Sequence, residues 1–187
     1  MPSLSHVEPT PNPHAFKFHA AEPLLTHGTL SFANAGDAEA LPIAKTLFAL
    51  GDVDAVLISD DFISVSGTRT ANWQKVRQTV ESEFKSFNAE VAGSLATDRA
   101  AVAAEQKKGQ SGDALYTQIN DVIDEYIRPA LAGDGGGVEL LGIEGKIVTI
   151  RYQGACGSCP TSTASTMNAI QGLLQDKVDP ELVLQSG

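Results

Sequence analysis

The stretch Gly154-Ala155-Cys156-Gly157-Ser158-Cys159-Pro160-Thr161-Ser162 decides how this chain is read, because it holds its two cysteines and stands between two kinds of periodicity. Upstream, Val138 to Ile143 and Ile147 to Tyr152 read as strands joined by a compact hairpin at Glu144-Gly145-Lys146. Downstream, Pro160 suits the first turn of a helix, whose buried face is Met167, Ile170, Leu173 and Leu174. The cysteines therefore lie on a loop leading from a strand into a helix. A last short strand is expected over Leu182 to Leu184.

Working outward, Asp113 is a fitting cap for a helix with Leu115, Ile119, Val122, Ile123, Tyr126 and Ile127 on one face. Asp121, Asp124 and Glu125 occupy its solvated side. Gly133-Asp134-Gly135-Gly136-Gly137 then turns the chain. It is no phosphate loop, since no Lys-Ser/Thr follows and the next segment is a strand.

Before this unit, residues 91–112 have linker composition, rich in Ala, Ser, Gln, Lys and Gly, with a short exposed helix expected over Asp98 to Lys107. Earlier still, Phe16, Phe18, Leu30 and Phe32 alternate with polar or small residues, as in half-buried strands. Pro42 opens a helix with Ile43, Leu47 and Leu50 on its apolar side, and Gly51 stands where it stops. Ala55 to Ile58 and Phe62 to Ser66 form a hairpin around Ser59-Asp60-Asp61. A second helix carries Trp73, Val76, Val80, Phe84 and Phe87. The expected fold is α+β: two small α+β domains, 1–90 and 113–187, joined by a flexible linker at 91–112.

Composition narrows the function. Hydrophobic residues make up 42% of the 187 and charged residues 19%, enough apolar mass for packed cores. Thirteen Lys and Arg against twenty-three Asp and Glu give a formal charge of -10, which repels phosphate backbones and anionic lipid. Nucleic acid and membrane are therefore not expected partners. No apolar run approaches the roughly 20 residues of a membrane helix. The opening Met1-Pro2-Ser3-Leu4-Ser5-His6 lacks the basic flank and apolar stretch of an export signal, and its first Met favours a bacterial cytoplasm over an organelle matrix.

Cys156 and Cys159 are too close to staple a scaffold of this size, because the loop they would close constrains little of the unfolded chain. In a reducing compartment such a pair binds metal or does redox work. Exposed amides at a helix start favour thiolate over thiol, and Gly154 and Gly157 let the backbone come close. The spacing permits both sulfurs to reach one metal or one cluster without identifying which. Closed zinc sites and the common [4Fe-4S] and [2Fe-2S] clusters take four protein ligands, and two cysteines supply half of that. A two-fold homodimer would complete the set at its axis. A dithiol oxidoreductase is the alternative, since strand, Cys-Gly-Ser-Cys and helix follow one another as in thioredoxin. Too little chain remains after Cys159 for the further strands and cis-proline loop of that fold. A structural zinc shared by the dimer is a further alternative. His6, His14, His19 and His27 are irregularly spaced, and without an accompanying carboxylate cluster they read as solvent-exposed.

The cysteine stretch, with Arg128-Pro129, Asp134-Gly135-Gly136 and Val138-Glu139-Leu140, resembles the C-terminal domain of the Nfu (NifU-like) family. Thr10-Pro11-Asn12-Pro13, the Pro42 helix and Asp60-Asp61-Phe62-Ile63 are similar to the N-terminal domain of many members. The resemblance implies an iron-sulfur carrier or scaffold rather than an enzyme. Its Cys156 and Cys159 would hold a [4Fe-4S] cluster across a homodimer, receive it from an upstream assembly scaffold and pass it to apo-proteins by ligand exchange. The N-terminal domain would recognise clients or assembly partners. Gly137 stands where many members carry Asp, and Gln171 replaces a common Glu.

Overall fold

A computed structural model describes residues 2–26, 28–107, 113–157 and 163–187. In the first half, five strands form one antiparallel sheet in the order β1-β2-β5-β4-β3. They are β1 (Leu4–Pro9), β2 (Ala15–Ala20), β3 (Leu30–Phe32), β4 (Val53–Ile58) and β5 (Phe62–Gly67). Phe18, Phe32, Val56, Ile58, Ile63 and Val65 project into one core, covered by α1 (Pro42–Phe48) and α2 (Trp73–Phe84). Asn72 caps α2 by accepting from the Lys75 N–H at 3.1 Å. Chain reversal after α1 uses Gly51, whose φ of 79° favours glycine.

The segment expected to act as linker from residue 91 is helical as far as Lys107, within α3 (Ala89–Lys107). Ala92 and Ala96 are buried in the first core. Arg99 donates to the carbonyls of Ser31 at 2.8 Å and Asp37 at 3.0 Å, and lies over the Phe32 ring. Small side chains let α3 approach the sheet closely, which is why its buried face leaves no stripe of large apolar residues.

The second half builds a smaller sheet, β6-β7-β8, from β6 (Gly136–Glu144), β7 (Ile147–Gly154) and β8 (Val183–Ser186). β6 and β7 are an antiparallel hairpin turning at Gly145, while β8 returns parallel to β7 after α6 (Thr163–Lys177). No strand but β8 follows α6, so the additional strands of a thioredoxin-like unit are absent from residues 163–187. Against the sheet lie α4 (Asp113–Val122) and α5 (Arg128–Gly133), with Ile119, Ile123, Ile127 and Leu131 buried against Leu140, Val148 and Ile150.

Between α4 and α5, Ile123–Ile127 form one wider turn in which the Arg128 N–H reaches back five residues to the Ile123 carbonyl. Pro129 has no N–H to continue the ladder, and widening the preceding turn accommodates its ring. The wider turn rotates Tyr126 off the buried face on which simple periodicity puts it. Tyr126 is 43% exposed, with the Lys177 ammonium 4.6 Å from its ring centre.

The fold is thus α+β in two domains, each with its own core. They meet directly: β7 runs against β3, β4 and β5. The face of the first sheet turned away from its helices carries Ala15, Lys17, Leu57, Ser64 and Ser66, all buried. Cross-strand register sets Lys17, Ser64 and Leu57 in one row.

Candidate metal centre at the cysteine loop

β7 ends at Gly154, whose φ of 60° turns the chain away from the sheet. The Ala155 N–H donates to the Gly135 carbonyl at 3.2 Å, and the Gly157 N–H closes the turn on the Gly154 carbonyl at 3.1 Å. Cys156 is thereby held, partly exposed, at the tip of the turn. Cys159, Pro160 and His27 lie outside the described residues.

The glycine run reaches further than the expected turn. Gly135, with a φ of 74°, makes that turn. Gly136, paired with Gly154 across the hairpin, leaves room for the cysteine: a β-carbon there would stand 2.2 Å from Sγ of Cys156. Asp134 ends α5, donating its N–H to the Leu131 carbonyl, as a turn former does. Arg128 pairs with Asp124 and donates from Nε to the Val138 carbonyl at 3.3 Å, tying the helix to β6 beside the loop.

Tyr152 forms the apolar side of the loop, and its hydroxyl is buried without a hydrogen-bond partner among the described residues. Burial first, and the neighbouring Cys156 second, push its pKa above the ordinary phenol value. The phenol therefore stays neutral and adds no charge next to the thiol.

The first half also reaches the loop. Asn12, 4% exposed, donates from Nδ2 to the Ala155 carbonyl at 2.9 Å. Lys17 donates from Nζ to the Gly133 carbonyl at 2.9 Å and pairs with Glu8 at 3.0 Å. Gly135 packs so tightly that a β-carbon would stand 2.8 Å from Oγ of Ser64 and 2.9 Å from Thr10, while one on Gly154 would be 3.0 Å from Leu57. In sequence, Thr10-Pro11-Asn12-Pro13 carries only a family likeness; the contacts of Asn12 and Lys17 with the cysteine loop emerge from the fold.

Two of the histidines are not isolated from carboxylates, contrary to their expected setting. β1 pairs His6 with His19, and their rings stack with centres 4.3 Å apart. Glu8 joins them, its Oε2 2.8 Å from Nε2 of His19. Among the described residues these three could converge on an ion, so a carboxylate does accompany them. The Lys17 ammonium beside the same carboxylate oxygen already supplies a positive charge and disfavours a cation.

Two family models match the chain: "Scaffold protein Nfu/NifU N terminal" over residues 5–90 and "NifU-like domain" over residues 119–184. This chain belongs to the Nfu (NifU-like) family. Among curated Nfu relatives, the "NFU1 iron-sulfur cluster scaffold homolog, mitochondrial" of Drosophila sechellia is 32% identical over 170 residues, covering 90% of this chain and 59% of that protein. The human protein of the same name is 31% identical over 174 residues, covering 90% and 66%. "NifU-like protein 4, mitochondrial" of Arabidopsis thaliana is 27% identical over 174 residues, covering 92% and 62%. The chain thus spans about three-fifths of the length of the Drosophila relatives it matches. A solution structure of a NifU-like protein from Saccharomyces cerevisiae matches 42% of this chain and 74% of its own at 25% identity, with a TM-score of 0.38.

These names overturn the expected bacterial cytoplasm, because the fly, human and Arabidopsis relatives are all called mitochondrial. The first Met carries no information against that. Among the described residues no helix is long and apolar enough to cross a membrane.

Proposed function

We propose that this chain is an iron-sulfur cluster carrier in which Cys156 and Cys159 supply two thiolates, and a second copy supplies two more, to a [4Fe-4S] cluster at a dimer axis. The observation that supports it most is the space kept for the Cys156 thiol by Gly136, on a turn open to solvent at Gly157. The relatives' names as cluster scaffolds point the same way. An organelle matrix is the setting those names support.

Transfer is ligand exchange without change of oxidation state. An incoming client thiol gives up its proton and its sulfur bonds an iron; the Fe–S bond to Cys156 or Cys159 breaks, and the departing thiolate takes up a proton. Four such exchanges move the cluster whole. The domain limits 1–90 and 113–187 divide the work: the second unit holds the cluster, and the first serves recognition of clients or the loading scaffold.

Anaerobic reconstitution with iron and sulfide tests this. A brown dimer with about four irons per two chains is expected, and Cys156→Ser should stay folded yet colourless. A chain that remains single and takes up neither iron nor sulfide would end the proposal.

A further inference from the structure

We infer that Asn12 is a positioning residue for the cysteine loop, and that Asn12 and Lys17 together make the first domain a clasp which sets the direction of the Cys156 side chain. The inference rests on the reading of Cys156 as a cluster ligand. It adds to that reading a task for the first domain other than client recognition.

The geometry is specific. The carbonyl that Asn12 holds belongs to the peptide linking Ala155 to Cys156. With that plane held, the N–Cα bond of Cys156 is fixed, and only rotation about it is left to set the direction of the Cα–Cβ bond. The preceding peptide is held as well, through the Ala155 N–H on the Gly135 carbonyl. Two successive peptide planes are thereby pinned, one by Gly135 just ahead of β6 and one from the other domain. Asn12 itself has no freedom to turn: its Oδ1 accepts the His14 N–H at 2.9 Å, which leaves Nδ2 to donate to Ala155. Both ends of this bond are buried, since Ala155 is 2% exposed.

Lys17 holds the opposite arm of the loop at the Gly133 carbonyl. Between the two anchors, the row Lys17, Ser64 and Leu57 lies directly under Gly135 and Gly154, too close for a side chain on either glycine. A contact that merely glued two domains would not need to grip the backbone on both arms of the loop. Here Asn12 and Lys17 do so, one residue before Cys156 and three residues before Gly136.

The test is Asn12→Asp in the full chain. Aspartate keeps the oxygen that accepts the His14 N–H, and so preserves its own turn, but replaces the donor to Ala155 with an acceptor. Amide hydrogen exchange in the cluster-free chain should quicken about tenfold at Ala155 and Gly157. After reconstitution, loss of iron to a chelator should quicken several-fold while the iron content first loaded stays at wild-type level. Lys17→Met, which keeps the buried stem, should quicken exchange at Gly135 and serves where Asn12→Asp fails to fold. Unchanged exchange at these amides in the folded variants would overturn the inference. Failure of the wild-type chain to take up iron would sink the proposed function instead, and the exchange measurement would still decide whether the clasp exists.

Discussion

Cys156 occupies the space that a side chain on Gly136 would fill, and Gly136 sits opposite Gly154 at the mouth of the β6–β7 hairpin. The smallest replacement is therefore a sharp probe. Gly136→Ala should cost about 1–3 kcal/mol, as overpacking does, and push the thiol off its position. Iron bound per chain after anaerobic reconstitution should fall severalfold, while circular dichroism keeps the α+β signature. Full loading by this variant would mean that the clearance is incidental.

Glu8 gives a pH signature. The Lys17 ammonium first, and His19 second, hold its carboxyl below the ordinary 4.5. Because the folded-state value is the lower one, the unfolded chain takes the proton first as acid is added. The stabilisation is complete above about pH 4.5 and is lost as pH falls through the folded value. Thermal melts of the wild type should fall more steeply below that point than those of Glu8→Gln. Parallel curves would remove Glu8 from the account.

Arg99 anchors α3 to the first sheet through two carbonyls and the Phe32 ring. Arg99→Met keeps the stem but removes both donors, and should destabilise the chain by about 1–2 kcal/mol in urea unfolding. An unchanged midpoint would show that the buried Ala92 and Ala96 suffice to hold the helix.

The wide turn before Pro129 separates two neighbours that simple helical spacing would treat alike. Ile127 is 5% exposed and Tyr126 is 43% exposed. Ile127→Ala should cost about 2–5 kcal/mol and Tyr126→Ala less than about 1 kcal/mol. Equal losses in denaturant unfolding would contradict the register described for this helix.

Much of this architecture is legible from residue pattern. The hairpin around Ser59-Asp60-Asp61, the helices at Pro42 and Trp73, and the strand-to-loop placement of Cys156 follow from alternation, caps and glycines. β1 does not, because an edge strand reading Leu-Ser-His-Val-Glu-Pro has only Leu4 and Val7 to pack and carries polar groups elsewhere. Ser64 and Ser66 mislead in another way. Alternating with Ile63 and Val65 they read as a solvent face, yet every residue of β5 is buried, because the second domain covers that side. Local periodicity holds no information about a surface supplied from more than sixty residues away. For the same reason Asn12 and Lys17 look like an ordinary turn and strand until the halves of the chain are brought together.

The hydroxyls of Ser64 and Ser66 are fully enclosed and lack a hydrogen-bond partner among the described residues. Each is a small debt carried by the closed arrangement, and water admitted along this seam would settle it at once. Parting the halves therefore recovers some of what it forfeits at Asn12 and Lys17. If the chain carries a cluster as proposed, a joint that regains part of its cost on opening gives a receiving protein a way to the cysteine loop.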